Sequence, residues 1–274
     1  MSERIVLVTG ATGKQGGAVV RSLVGKGFKL RGMTRKPDGE AAKGLKSLGV
    51  ELVRGDLDDA DSLKAALGGS WGVFAIQNTW EAGVEGEELQ GKRIARIARE
   101  MGVQHYVYTS VGSAHRKTGI PHFDNKWRVE ELVRELKFPS HAILRPVFFM
   151  ENLPTPWFLH GDQIVSALKP TTSLQMVAVE DIGRIGARLF TDAGTMNGRE
   201  IDLAGDSVTM PRVAEVFGRA LGRTIQYVEI PMAEVRKNGE DFALMLEWFE
   251  RGGYDADIPG LEREFGKLTR FADW

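Results

Sequence analysis

Strand and helix signals alternate without a break from Ile5 to Arg145. Residues 5–9 form a short β-branched run that ends in glycine, which is typical of a strand buried on both faces. Similar runs recur at residues 72–76 and 106–110, with apolar residues at helical spacing between them. This alternation predicts an α/β fold, a Rossmann-like doubly wound parallel sheet.

After Pro146 the regular alternation stops. Pro154 and Pro156 break the chain, and most of the later signals are helical, including residues 210–221 and 233–249. We therefore predict a Rossmann domain over residues 1–150. A smaller, α-rich C-terminal lobe over residues 151–274 is expected to close the cleft and to be partly interleaved with the sheet.

Three glycines, Gly10, Gly13 and Gly16, follow the first predicted strand and open the next helix. In such a run the first glycine permits a tight turn, the second lets the backbone approach a pyrophosphate, and the third lets helix and strand pack closely. The helix N-terminus then offers free N–H groups and a favourable dipole to the phosphates. Because the strand and the helix are both in place, the run predicts a dinucleotide site.

The end of the second predicted strand distinguishes NADP(H) from NAD(H). An acidic residue there binds the ribose 2′-hydroxyl of NAD(H), whereas arginine accommodates the 2′-phosphate of NADP(H). Arg35 follows this strand, and the first acidic residue after the strand is Asp38. NADP(H) is therefore favoured over NAD(H). Asp56 follows the third strand, where it fits either a contact to the adenine amino group or ordinary turn chemistry.

Composition excludes several other functions. The formal net charge of the 274 residues is −1, which disfavours direct nucleic-acid binding. The chain has no cysteine, and its scattered histidines lack metal-ligand spacing, so no metal site is expected. No apolar run reaches the roughly 20 residues of a membrane span and no signal peptide is evident. We therefore expect a soluble, cytoplasmic protein.

Five segments of the chain, residues 8–16, 55–57, 108–111, 122–126 and 145–153, together resemble the NmrA-like family of atypical short-chain dehydrogenases/reductases. Within that family the nearest likeness is to NADPH-sensor proteins of the HSCARG type. The resemblance extends over nearly the whole chain. It implies a Rossmann domain with a small C-terminal lobe and NADP(H) in the cleft between them.

Carried over position by position, the resemblance implies cofactor contacts in the glycine loop, after the strands and near the nicotinamide. One departure is visible near Leu89, where the sensor relatives have a lysine that contacts the cofactor; this leaves the affinity open. The implied contact residues are Gly10, Thr12, Gly13, Lys14, Gln15, Gly16, Arg35, Asp56, Leu57, Gln77, Asn78, Thr79, Lys126, Phe149, Glu151 and Asn152.

Catalysis is left open by the sequence. Classical members of the superfamily use a tyrosine four residues before a lysine on one helix face, but here His122 stands four residues before Lys126. In one alternative Lys126 does no more than hold the nicotinamide ribose, and the protein is a redox sensor or regulator with a protein partner. The chain could instead be a reductase of a quinone or another small aromatic carbonyl compound that needs no tyrosine. In a third alternative His122 donates the proton.

Ser110, which ends the fifth predicted strand, lies where the superfamily has a carbonyl-orienting serine. It is also an ordinary strand-ending residue, and both interpretations stay open. The sequence does not decide between a monomer and a homodimer.

Overall fold

The computed structural model describes residues 4–274. The strands within that range are β1 Arg4–Val8, β2 Phe28–Thr34, β3 Glu51–Arg54, β4 Ser70–Ala75, β5 His105–Thr109, β6 Ser140–Pro146, β7 Phe148–Phe149, β8 Leu159–His160, β9 Gln163–Ser166, β10 Ser173–Val177, β11 Glu200–Leu203, β12 Asp206–Thr209 and β13 Gln226–Glu229.

The α-helices of the same range alternate with the strands in the first half of the chain and cluster towards its end. They are α1 Lys14–Leu23, α2 Glu40–Ser47, α3 Ala60–Leu67, α4 Thr79–Glu100, α5 Pro121–Glu135, α6 Val179–Thr191, α7 Met210–Leu221, α8 Met232–Lys237, α9 Glu240–Glu250 and α10 Ile258–Phe265. Short 3-10 turns lie at Ala114–Arg116 and Met150–Asn152.

The main sheet has the strand order β11-β6-β5-β4-β1-β2-β3 across the described residues. Neighbouring strands from β3 to β6 pair in parallel, with Val6 opposite Leu30 and Gly72. The order reverses between β1 and β4, which is the switch point where ligands bind in open α/β sheets. This architecture confirms the predicted Rossmann-like fold.

Burial on both faces explains why the central strands are continuous apolar runs. All five residues of β5 are buried, and α4 packs an apolar stripe that includes Ile94, Ile97 and Ala98 against the sheet. A stripe at this spacing covers one side of a helix, so the opposite side can be charged. This core holds the strands in place, and the candidate site lies at their carboxyl ends.

The described part of the chain forms two compact units. The first comprises the described part of residues 1–110 together with residues 124–145 and 182–201, and the second comprises residues 111–123, 146–181 and 202–274. The chain thus passes from one unit to the other within α5 and again within α6. The first unit contains the glycine loop and most of the main sheet.

The second unit contains two small sheets besides its helices. One has the order β12-β10-β7 and the other β13-β9-β8. Its core includes a T-shaped pair formed by Phe148 and Phe158, with ring centroids 5.5 Å apart. The strands β8, β9 and β10 lie after Pro154 and Pro156, where the sequence gives mixed signals, whereas β13 coincides with a short strand that the sequence predicts at residues 227–230.

Two predicted helix boundaries are wrong. The helix expected over residues 233–249 is two helices, α8 and α9, separated at Gly239, whose φ of 155° is incompatible with a continuous helix. Apolar residues at helical spacing predict a helix from Leu89 to Met101, but α4 begins ten residues earlier, at Thr79, with a non-helical break at Gly83. In both places glycine lets the chain leave and re-enter helical geometry at low steric cost.

A membrane-spanning helix is not among these elements: within residues 4–274 every helix is too short or too polar to cross a bilayer.

The contact between β1 and α1 gives a first prediction. A Cβ at Gly16 would lie 2.3 Å from the Gly10 carbonyl oxygen, so Gly16→Ala is expected to lower the free energy of unfolding by about 3 kcal/mol. Urea denaturation followed by circular dichroism measures the loss.

Gly44→Ala is the matched control, because Gly44 lies within α2 and its added Cβ meets no atom of the described residues within 4 Å. It should raise the free energy of unfolding by about 0.5–1 kcal/mol. Equal denaturation midpoints for the two variants would contradict the proposed close contact.

Candidate functional site

The loop between β1 and α1 brings backbone groups to the carboxyl edge of the sheet. Gly10 has φ of 56°, in the left-handed region that favours glycine. The Gly13 N–H donates to the Gly10 carbonyl at 2.9 Å and closes the turn. With no space for a Cβ on Gly16, the start of α1 lies directly against the end of β1.

The N-terminus of α1 suits an anion. Gly13 is its N-cap and, as a glycine, has no side chain that could accept a capping hydrogen bond. The first turn contains no acidic residue. The leading N–H groups and the helix dipole therefore favour a negatively charged ligand such as a phosphate.

The other predicted residues of this loop have different environments. Gln15 donates from Nε2 to Thr109 Oγ1 at 2.6 Å, which ties α1 to the end of β5. Thr12 Oγ1 lies 3.5 Å from Thr34 Oγ1, at the end of β2. Lys14 is the first residue of α1 and is exposed. The ends of β2 and β5 therefore brace the loop, and the Lys14 side chain is exposed.

Arg35 follows β2 and has an acidic partner that the sequence did not reveal. Its Nη2 lies 2.5 Å from Glu81 Oε2, on the first turn of α4. The two side chains are 64% and 57% exposed. Exposed ion pairs contribute at most about 1 kcal/mol, so the guanidinium can exchange this carboxylate for another anion.

Asp56 and Leu57 lie in the turn after β3, and α4 anchors this turn. Asp56 Oδ1 accepts the Asp58 N–H at 3.0 Å, the turn chemistry that the sequence allowed. Arg93 Nη1 donates to the Leu57 carbonyl at 2.5 Å, and Gln90 Nε2 donates to Asp58 Oδ2 at 2.8 Å. These contacts fix the shape of the turn, and Asp56 remains half-buried.

Gln77 and Thr79 follow β4 and are buried with polar atoms that no described residue satisfies. Both amide atoms of Gln77 and the Thr79 hydroxyl lack a hydrogen-bond partner within residues 4–274. Asn78, between them, is exposed and caps the first turn of α4 by accepting the Trp80 N–H at 3.1 Å. Leaving a buried polar group unpaired costs about 1–3 kcal/mol, so this cluster is typical of a site that hydrogen-bonds a polar ligand.

Within the described residues, buried polar atoms without a hydrogen-bond partner are also found after β5 and on α5. Ala75 of β4 pairs with Tyr108 of β5, so Gln77 and Ser110, two residues further on, leave the sheet at the same edge. The Ser110 hydroxyl and the Asn125 Oδ1 are likewise buried without a partner in the described part of the chain. Unsatisfied polar groups therefore follow both β4 and β5 at the carboxyl edge of the sheet.

Lys126 is fixed by a buried carboxylate. Its Nζ lies 2.5 Å from Glu87 Oε1, and the Glu87 side chain is only 2% exposed. Glu87 Oε2 accepts from Asn125 Nδ2 at 3.0 Å. Because α4 supplies the acid and α5 the cation, this contact holds the two helices together and gives the ammonium one orientation.

His122 has a separate carboxylate partner in the second unit. Its Nδ1 shares a short hydrogen bond with Asp241 Oδ2, and its backbone N–H donates to Asp241 Oδ1 at 3.0 Å. Asp241 therefore sets the orientation of the imidazole ring. His122 and Lys126 are four residues apart on α5, but they are held by different acids, Asp241 and Glu87.

The remaining predicted contacts lie around the 3-10 turn Met150–Asn152 of the second unit. Glu151 Oε1 accepts the Val179 N–H at 2.9 Å and the Trp274 Nε1–H at 3.1 Å. Phe149 and Asn152 are half-buried. The cofactor contacts of these three residues stay predictions.

Tyr108, on β5, is fully buried, which makes it a poor replacement for the missing acid. Burial, reinforced by the nearby Glu87 and Glu130, raises the pKa of Tyr108 well above its usual value. Its hydroxyl has no hydrogen-bond partner among the described residues. Residues 4–274 also contain no acid or histidine cluster that could hold a metal ion.

Glu81, Glu87 and Asp241 are the site residues that sequence reasoning missed. Glu81 and Glu87 belong to an acidic stretch that predicts a solvent-exposed helix face. One weak sign that Glu87 is buried is Gly91, which lies one helical turn later on α4 and packs against Gln77. Asp241 is 119 residues from His122, and no pattern of spacing connects the two.

The chain resembles known proteins over its whole length. The NmrA-like family model matches residues 2–271. An NmrA-like family domain-containing oxidoreductase, malD of Malbranchea aurantiaca, is 28% identical over 321 aligned positions, which cover 99% of this chain and 96% of the relative.

Solved structures share the fold. NmrA, a negative transcriptional regulator in complex with NADP, is 23% identical with a TM-score of 0.81, covering 100% of this chain and 94% of that one. The NADPH-dependent quinone oxidoreductase QOR2 of Escherichia coli, complexed with NADPH, is 22% identical with a TM-score of 0.81, covering 98% and 97%.

The Lys126–Glu87 contact gives a second prediction. Glu87→Gln leaves the mostly buried ammonium without its counter-charge and is expected to lower the free energy of unfolding by about 2–4 kcal/mol. Glu88→Gln is the neighbouring control, because Glu88 pairs with Lys92 and Arg128 nearer the surface, where loss costs about 1 kcal/mol or less. Urea titrations of both variants give the comparison, and a Glu87 effect no larger than the Glu88 effect would refute the role of burial.

Proposed function

This chain belongs to the NmrA-like family, and from that premise we propose that its first unit binds NADP(H) at the carboxyl edge of the main sheet. The observation that carries this proposal is the N-terminus of α1 behind the glycine loop, where the N-cap is a glycine and the first turn contains no acid. It fits a pyrophosphate, which needs close backbone approach and N–H donors. The NADP and NADPH complexes of the two structural neighbours agree with this choice of ligand.

The polar groups beyond the glycine loop also fit a dinucleotide. Gln77, Ser110 and Asn125 have buried polar atoms that no other described residue satisfies. A ribose and a carboxamide offer the donors and acceptors that such atoms need. Lys126, oriented by Glu87, would hold the ribose next to the nicotinamide.

Arg35 supports NADP(H) over NAD(H). It follows β2, is exposed, and presents the planar fork that binds phosphate in two contacts. Lys36, the next residue, is also exposed and adds positive charge. We assign the 2′-phosphate to Arg35 on this basis.

A redox sensor or regulator is the function that the geometry supports best. A bound nicotinamide supplies hydride chemistry, but this chain places no tyrosine four residues before Lys126 and buries Tyr108. Lys126 is committed to Glu87 and suits ribose binding better than tuning a proton donor. Binding that differs between NADPH and NADP⁺ would then shift a conformational or partner equilibrium.

A reductase of quinones or other small aromatic carbonyl compounds is the second candidate. It is favoured by the oxidoreductase relative and by the quinone oxidoreductase among the structural neighbours. His122, oriented by Asp241, is the group that would supply a proton in such a reaction. A quinone needs little acid catalysis, because hydride acceptance leaves a delocalised anion.

Calorimetric titration with NADPH, NADP⁺, NADH and NAD⁺ tests the proposed cofactor. We expect the wild type to prefer NADP(H), and Arg35→Ala to weaken NADP(H) binding by about 1–3 kcal/mol through loss of a charge-assisted contact. Lys36→Ala, which removes the same charge one residue away, should cost less. Tighter NAD(H) binding that is unaffected by Arg35→Ala would refute the assignment.

A second measurement separates the two functional classes. Oxidation of NADPH is followed by its absorbance with a panel of quinones, enones and aromatic aldehydes, comparing wild type with His122→Asn. A sensor gives no turnover with any of them and changes its sedimentation or partner binding between NADPH and NADP⁺. Turnover with any of these compounds would instead establish the reductase, and a fall of at least about tenfold in the variant would identify His122 as its proton donor.

A further inference from the structure

The arginine assigned to the 2′-phosphate is paired with a carboxylate of the same chain. Arg35 Nη2 lies 2.5 Å from Glu81 Oε2, and both side chains are more than half exposed. A guanidinium binds carboxylate and phosphate through the same planar set of N–H donors. Glu81 therefore competes for the group that a 2′-phosphate would need.

The position of Glu81 is defined by its own short turn. Asn78 caps this turn, accepting the Glu81 and Ala82 N–H groups on its carbonyl at 3.2 and 3.1 Å. Gly83, with φ of 73° and ψ of 169°, separates the turn from the rest of α4. Asn78 Nδ2 also donates to Glu81 Oε1 at 3.3 Å. Each carboxylate oxygen of Glu81 therefore has its own partner, Asn78 for Oε1 and Arg35 for Oε2, and the two contacts orient the side chain.

We propose that Glu81 is a specificity-determining residue that limits how strongly this protein prefers NADP(H) to NAD(H). The inference rests on the proposed function, because it needs Arg35 to meet the 2′-phosphate. The two dinucleotides differ at one group, a phosphate in NADP(H) and a hydroxyl in NAD(H). Glu81 acts on this difference in two ways.

Towards NADP(H), the Glu81 carboxylate is unfavourable. The phosphate must displace it from Arg35 and then remain near a like charge, which costs binding free energy. Towards NAD(H), the same carboxylate is favourable. Although Glu81 follows β4 in the chain, its contact with Arg35 brings it to the end of β2, where an acid is the usual acceptor for the ribose 2′-hydroxyl. Both effects lower the ratio of NADP(H) affinity to NAD(H) affinity.

The test is the ratio of the NAD⁺ dissociation constant to the NADP⁺ dissociation constant, measured by calorimetry for the full chain. Glu81→Gln keeps the size of the side chain and removes its charge, and it should raise this ratio about 3–10-fold, as for the loss of an exposed charge interaction. Glu85→Gln removes the same charge from an exposed residue on the other side of Gly83 and should change the ratio less than about twofold.

The double variant Arg35→Ala/Glu81→Gln shows whether Glu81 acts through Arg35. With the arginine removed, Glu81→Gln should have less than half of its effect, on a logarithmic scale, because the competition no longer exists. A purely structural effect of Glu81 would change both dissociation constants by the same factor and leave the ratio unaltered.

The outcomes separate this inference from the proposed function. If Glu81→Gln leaves the ratio at the wild-type value, or shifts it no more than Glu85→Gln does, the inference is overturned while NADP(H) binding stands. If none of the dinucleotides binds, or if Arg35→Ala leaves NADP⁺ affinity unchanged, the proposed role of Arg35 fails and the inference fails with it. A raised ratio that depends on Arg35 supports both.

Discussion

The close approach of β1 and α1 is the constraint on which the rest of the site depends. At Gly16 the helix backbone lies so near the Gly10 carbonyl that no side chain fits. The N-terminus of α1 therefore points at the carboxyl edge of the sheet, where the ends of β4 and β5 also lie. A Cβ at position 16 would push α1 away from β1 and move its first N–H groups away from that edge. A ligand could then no longer contact both these N–H groups and the polar residues beyond them.

Around this backbone contact, the first unit maintains polar side chains in places that are costly for folding. Gln77 and Asn125 are buried with unsatisfied atoms, and Glu87 is a buried carboxylate whose charge is balanced by Lys126. Each such group reduces stability unless a partner is present. Gln77 lies just after β4, at the switch point, so a group suited to binding adjoins strands that serve stability.

Local pattern was sufficient for the fold and for the geometry of the glycine loop. The strands β1, β4 and β5 were predictable because burial on both faces demands apolar runs, and the glycine loop because its spacing has a steric reason. The interruption at Gly239 lies at an Asn-Gly pair, a local turn signal that the helical periodicity of residues 233–249 outweighed. The pattern failed where tertiary contacts decide, as at the short strands β9 and β10, which depend on neighbours that are distant in sequence. Glu81, Glu87 and Asp241 escaped for a similar reason, because burial and pairing of an acid are properties of the assembled chain.

The passage of the chain between its two units has a consequence for how the protein is made. The first unit is complete only when residues 182–201 have joined it, and β11, at the edge of the main sheet, begins at Glu200. A ribosome must therefore release about three quarters of the polypeptide before the sheet can acquire its last strand. Neither unit corresponds to a continuous stretch that recombination could move into another gene, so the two are expected to have been inherited together.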